Sequence, residues 1–167
     1  MAYYMQQILS CEAGGSGNTL IDVSSGALSE SYINKAVTID GNPSDLASPK
    51  VKLCSTNDYV LGSIIGYSYG RLQVVVSGWD VRFINSTDTA LTVGLPILGA
   101  NASINSVDTY GLIKVGSTTA TAGDTFDTAE AQSSYDLIAK YTGRVVHGGA
   151  ASGAGSAIVR VAISFGG

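Results

Sequence analysis

Charged residues are scarce in this chain. Asp, Glu, Lys and Arg make up 13% of its 167 residues, where an ordinary soluble domain carries about 25%. The balance is acidic, with a net charge of −4 and an isoelectric point near 4.7. Nine dispersed Lys and Arg residues argue against a nucleic-acid partner, because phosphate binding calls for clustered cations. Long hydrophobic runs are missing too. No stretch approaches the roughly 18 apolar residues of a membrane helix, so no membrane partner is expected. Met1-Ala2-Tyr3-Tyr4-Met5 lacks the basic start and apolar core of a secretory signal. Cysteine is limited to Cys11 and Cys54, far apart and without a Cys-x-x-Cys spacing. Both read as reduced, partly buried thiols, with a single bridge as the alternative.

What the chain does have is β character. It is 45% hydrophobic, with 21 glycines and nine tyrosines, which excludes the low-hydrophobicity, high-charge make-up of a disordered chain. Its length suits one domain with a sizeable core. From Lys50 onward short strands recur at 50–53, 61–67, 72–77, 79–84, 90–93, 96–98, 111–115, 140–146 and 157–165. β-Branched and aromatic residues fill them, and Gly, Asn, Asp or Ser marks nearly every junction. In Ile158-Val159-Arg160-Val161-Ala162-Ile163, Val159, Val161 and Ile163 share one face and Arg160 the other; Arg82 between Val81 and Phe83 repeats that pattern. A helix is plausible only over 128–140. Such spacing suggests an all-β fold, a small antiparallel barrel or sandwich, rather than βαβ units. Residues 1–49 differ in texture and read as an N-terminal arm or peripheral strands, leaving 50–167 as the barrel core.

Catalytic chemistry finds little to work with. The single histidine, His147, is followed by Gly148-Gly149, but no Gly-x-Ser-x-Gly elbow presents a serine to it. One histidine and two distant cysteines cannot supply a zinc set. Asp124, Asp127 and Asp136 lack calcium-loop spacing and suit turns and caps. No phosphate-binding Gly-x-x-x-x-Gly-Lys is present. The expectation is a protein that is not an enzyme and uses no cofactor or metal. Asn85-Ser86-Thr87 and Asn101-Ala102-Ser103 match the glycosylation acceptor pattern, as chance allows in a chain this rich in Asn, Ser and Thr.

One succession of segments is more specific. Val51-Lys52-Leu53 leads to Val60-Leu61-Gly62-Ser63-Ile64-Ile65-Gly66, then Leu72-Gln73-Val74-Val75-Val76-Ser77-Gly78 and Leu91-Thr92-Val93-Gly94-Leu95-Pro96-Ile97. Gly111-Leu112-Ile113-Lys114-Val115, Thr142-Gly143-Arg144-Val145-Val146 and Ile158-Val159-Arg160-Val161-Ala162-Ile163 complete it. This order resembles the head-decoration, or capsid cement, proteins of tailed bacteriophages, above all small β-barrel members ending in a Gly-Arg-Val … Val-Arg-Val hairpin. The resemblance implies a β-tulip-like barrel with an extended N-terminal arm. It also implies a homotrimer seated on the major capsid protein at the outer surface of the phage head, and it carries no catalytic residue over.

Low charge and a mean hydropathy of +0.24 fit a chain that makes large contacts with others. Tyr3, Tyr4, Met5, Ile8 and Leu9 are the candidate capsid contacts, since tyrosine and large apolar side chains anchor interfaces. The alternative is a carbohydrate-binding β-sandwich or a tail-fibre module, with a surface glycan as partner, motivated by Trp79, the tyrosines and the Asp/Asn-rich turns. Against it, Trp79 follows Val74-Val75-Val76-Ser77-Gly78 and is expected in the core. A hydrolase built on His147 is the remaining reading.

Overall fold

The computed structural model describes residues 5–41, 48–116, 142–149, 154–155 and 157–164. Over these residues the protein is all-β. Its strands are β1 (Gln7–Ala13), β2 (Ala36–Ile39), β3 (Lys50–Leu53), β4 (Gly62–Ser68), β5 (Arg71–Ile84), β6 (Ile97–Ile104), β7 (Val107–Val115), β8 (Gly143–His147) and β9 (Ile158–Ile163). Two single 3-10 turns, Gly17–Thr19 and Glu30–Tyr32, are the helical pieces among the described residues. The helix considered over 128–140 lies outside them, as do Tyr3, Tyr4, Asp124, Asp127 and Asp136.

The strands form two rings that share β5. In the first, β5 pairs with β4 on one side and β1 on the other, and β4, β2, β3 and β1 pair in turn, so five strands close on themselves. The β1–β3 pair is parallel, which makes the sheet mixed rather than purely antiparallel. Leu72, Val74 and Val76 alternate into this ring, where they meet Cys11, Ile64, Val37, Val51 and Leu53. The approach of β4 to β5 is too close for a side chain at Gly62: a Cβ there would lie 2.2 Å from the Val75 carbonyl oxygen. Ile21 is buried in the same core, with Val23, Leu28, Tyr32 and Ile33 packed against it.

Over its described length the N-terminal segment is therefore part of the body and not an arm reaching away from it. β1 and β2 supply two of the ring's five strands. Without β1, the edges of β3 and β5 would expose unpaired backbone groups. Leu9 and Cys11 give it an inward face that fits the gap.

The second ring begins where β5 leaves the first. Its C-terminal half pairs with β9, and β9 with β8. The β6–β7 hairpin completes the circuit through two isolated bridges, Asn85 with Ile113 and Pro96 with Arg144. Val81, Phe83, Val145, Val159, Val161, Ile163, Ile97 and Ile113 form its core. Arg82 and Arg160 face outward, as the alternation predicts. The rings are tied by Ser63 Oγ, which donates to the Arg82 carbonyl at 2.6 Å, and by Thr142 Oγ1, which donates to the Val60 carbonyl at 2.7 Å.

Several boundaries differ from the sequence-based ones. The two strands expected over 72–77 and 79–84 are one 14-residue strand. Residues 90–93 hold no strand; Leu91 is a buried loop residue whose N–H donates to the Gly148 carbonyl at 3.0 Å. β6 and β7 extend well past 96–98 and 111–115, joined at Asn105 and Ser106 with φ of 51° and 64°. Two left-handed residues make the kind of hairpin turn whose twist matches that of the strands.

Candidate binding surface

Alternation along β1 separates the expected contact residues. Leu9 lies opposite Val74 and packs on the first core, whereas Ile8 lies opposite Val75, which is buried in the second core, and is itself 51% exposed. Met5, just before β1, is 89% exposed. Tyr3 and Tyr4 lie outside the described residues. The structure adds two residues to this region: Ile65, on the β4 bulge, and Trp79 are both about half-exposed. Gln6, Ile65, Val75, Asp80 and Arg82 line a small cleft of about 160 Å³ between them. Ile65 lines that cleft, and Met5, Ile8 and Trp79 adjoin its lining residues Gln6, Val75 and Asp80 in sequence or register; these four exposed apolar residues are called the ledge.

Trp79 is not a core residue; it is 50% exposed. The cause is a bulge. The β5–β9 register slips between Gly78 and Val81, so Trp79 and Asp80 together oppose Ala162. Gly78 has φ 146° and Asp80 φ 67°, and a Cβ at Gly78 would lie 3.0 Å from Gln6 Cγ. Two residues against one turn both side chains to the outer face. The signal in the sequence was the Gly-Trp-Asp step within a valine-rich strand, since glycine inside a strand commonly marks such a bulge.

That outer face gathers most of the guanidinium groups of the chain. Arg82 pairs in register with Arg160, and Arg160 with His147, so three basic side chains form one row across β5, β9 and β8. Arg144, opposite Ala162, stands beside the row, and its Nη1 donates to the Gly94 carbonyl at 3.1 Å. Three of the four arginines and the only histidine therefore share one sheet face. Arg71, the fourth arginine, lies near Glu12 at 3.9 Å. The dispersed positions in the sequence conceal this cluster because strand pairing joins residues about 80 apart.

Asp80 accepts a hydrogen bond from Arg160 Nε. That bond holds its carboxyl below the usual aspartate value, against desolvation and with the help of the charges of Arg160, Arg82 and His147. The Gly149 N–H donates to His147 Nδ1 at 3.2 Å, so the neutral ring carries its proton on Nε2, a donor toward solvent.

The remaining chemistry-bearing groups are buried. Desolvation pushes the Cys11 thiol up to about 12. Cys54 is raised too, first by its burial and then by the Asp58 charge, against the opposing effect of Lys52. Both cysteines are free and stay protonated near neutral pH, and a protonated thiol is a poor nucleophile. Asn85 is fully buried; its Nδ2 donates to the Thr89 carbonyl at 2.8 Å and its Oδ1 accepts from the Thr87 N–H at 3.1 Å. The acceptor pattern at Asn85 is thus a structural turn in the folded chain. Among the described residues no three His, Cys, Asp or Glu side chains gather into a metal-binding group.

The fold defines the class, an all-β protein with an outward apolar ledge and a basic sheet face. In comparisons with known proteins, no family model, no curated protein and no solved structure matches the chain.

Proposed function

We propose that this chain is a structural virion protein that binds the outer surface of a tailed-phage head as a homotrimer, contacts the major capsid protein and stabilises the assembled shell. The order of segments from Lys50 onward suggested this reading. The observation that supports it best is the apolar ledge of Met5, Ile8, Ile65 and Trp79, carried on a closed and well-packed scaffold. Exposed apolar residues gathered in one place mark interaction surfaces. A ligand that binds only the assembled shell stabilises it by mass action, and three linked copies raise the effective concentration of each contact. None of this calls for a reaction centre.

The test is co-sedimentation with purified heads. Removing residues 1–10 is unsuitable, because it takes half of β1 out of the first ring. The substitutions Met5→Ser and Ile8→Ser touch only exposed side chains. Together they are expected to weaken head binding about tenfold, equivalent to about 1.4 kcal/mol, with melting unchanged and the free protein sedimenting as a trimer. Undiminished binding by the double variant would reject the ledge as the docking element, and a stable monomer at micromolar concentration would reject the trimer.

A second reading is favoured by one observation. Trp79 is half-exposed beside a row of polar side chains, the arrangement of a carbohydrate-binding module or tail-fibre domain in which an indole stacks on a sugar ring. The two readings share Trp79, so they are alternatives for that part of the surface.

A further inference from the structure

We propose that the outer face of the β5–β9–β8 sheet binds an acidic polysaccharide built of uronic acid units. This rests on the second reading above and names its ligand. The site consists of Trp79, Asp80, Arg82, Arg144, His147 and Arg160, brought to one face by the registers Arg82–Arg160–His147 and Arg144–Ala162 and by the bulge that sets Trp79 and Asp80 opposite Ala162.

Each residue has a part that its chemistry dictates. Ala162 leaves a low, flat floor between Trp79 and Arg144, and the exposed indole offers a stacking surface for the apolar face of a pyranose. Asp80 accepts from Arg160 Nε and so fixes the guanidinium in the middle of the row. Arg82 and Arg144, both exposed, present forks that match carboxylates in two-point fashion. His147 adds its Nε2 proton, set by the Gly149 bond on the other nitrogen. Beyond Ala162 and Arg144 the face runs into a cleft of about 390 Å³ that also includes Pro96, Thr142 and Ser164. Neighbouring strands lie about 4.8 Å apart, close to the advance of one sugar unit in an extended chain. A row of hydrogen-bond donors at that repeat, flanked by the Arg82 and Arg144 charges, suits a polymer with one carboxylate per unit.

Charge and surface character select this ligand class over the others. Among the described residues three arginines against Asp80 give the face a charge of +2, which leaves −6 on the rest of a chain of net −4. A duplex nucleic acid needs a broad cationic footprint, and most of this surface would repel one. A protein partner would find charged groups at the centre of the patch, where protein interfaces are depleted of them. A narrow polyanion that also stacks on one aromatic fits both limits. Its attraction acts within a Debye length of about 8 Å at physiological salt, so binding weakens as salt rises.

Trp79 is the only tryptophan, so its fluorescence reports on the site directly. The full-length protein is titrated with oligogalacturonate, with its neutral methyl ester and with an oligoglutamate of equal charge. The expected result is a saturable change with oligogalacturonate and at least tenfold weaker binding of the other two probes. By calorimetry, Arg82→Gln with Arg144→Gln lowers the affinity at least tenfold and Trp79→Ala at least fivefold, with melting temperatures unchanged for the arginine pair. Equal binding of oligoglutamate overturns the proposal, because charge alone then suffices. Equal binding of the methyl ester overturns the acidic ligand while the carbohydrate reading stands. Absence of saturable binding to either sugar probe overturns both, and leaves head binding through the ledge unaffected.

Discussion

The two rings of this protein share a strand but are closed by different means. In the first, all five joins are strand ladders, including a parallel one between β1 and β3. In the second, ladders make three joins, and the other two are single bridges at Asn85–Ile113 and Pro96–Arg144. Proline has no N–H to extend a ladder at that point. Backbone pairing thus holds the first ring around its whole circumference. The second leans more on its side-chain core and on buried polar contacts. Register slips occur in both rings, but the outer face of the second is the one on which Arg82, Arg144 and Arg160 gather.

The largest test of that difference lies in the cores. Phe83 is fully buried in the second ring and Leu72 in the first. Phe83→Ala is expected to cost about 3–5 kcal/mol and Leu72→Ala about 2–5 kcal/mol. Because both residues sit on β5, each substitution should lower one common melting transition in calorimetry. Two separated transitions, with only one moved by each variant, would break the idea that β5 couples the rings.

A middle-sized effect is expected at the polar contacts. Asn85, which makes one of the two bridges just after β5, also satisfies the Thr87 N–H and the Thr89 carbonyl with its side chain. Asn85→Ala leaves buried groups unpaired and should cost about 1–3 kcal/mol. Ser63→Ala removes the single bond to the Arg82 carbonyl and should cost about 1 kcal/mol. Denaturant midpoints measure both. If Asn85→Ala costs no more than Ser63→Ala, the second ring does not depend on its bridge as argued.

The smallest effect belongs to the surface pair Asp80–Arg160. The carboxyl value is lowered in the folded state, chiefly by the Arg160 bond, so its contribution is present above the ordinary aspartate value and fades as pH falls through the folded one. With Arg160 half in solvent, Asp80→Asn should lose less than about 1 kcal/mol at pH 7. The gap between variant and parent should close in strong acid. A gap that persists there would assign the effect of Asp80 to the bulge geometry instead of its charge.

Much of the second ring was legible from local pattern. In β9 the period of two placed Val159, Val161 and Ile163 inside and Arg160 outside, and the structure has them so. Val81, Arg82 and Phe83 behave the same way, because a half-buried strand must alternate. The β6–β7 hairpin was only partly legible: Gly99-Ala100-Asn101-Ala102 has weak strand preference and is held in place by its pairing with β7. Leu91 read as part of a strand because it is apolar, yet it fills the core from a loop.

The candidate surface was less legible. Met5 and Ile8 entered as candidates because large apolar residues stand near the start of the chain; the structure has them exposed and Leu9 turned inward, which alternation along the strand could have told. The arginine row had no local signal, since Arg82, Arg144 and Arg160 become neighbours only by strand pairing. Trp79 was misplaced because a valine-rich run outweighed the glycine before it, and one slipped residue sends a side chain to the other face.

The sequence by itself determined that this protein is all-β, which faces of β9 and of the Val81–Phe83 stretch point inward, and that its charge is low and acidic. These follow from composition and from a period of two, both local properties. Tertiary structure alone decided that residues 7–39 belong to the first ring, that one 14-residue strand serves two cores, and that the arginines meet on one face. Those outcomes depend on which strand edges find each other across long separations. Edge pairing is settled by the joint burial of many side chains and backbone groups, and no single stretch of sequence carries that sum.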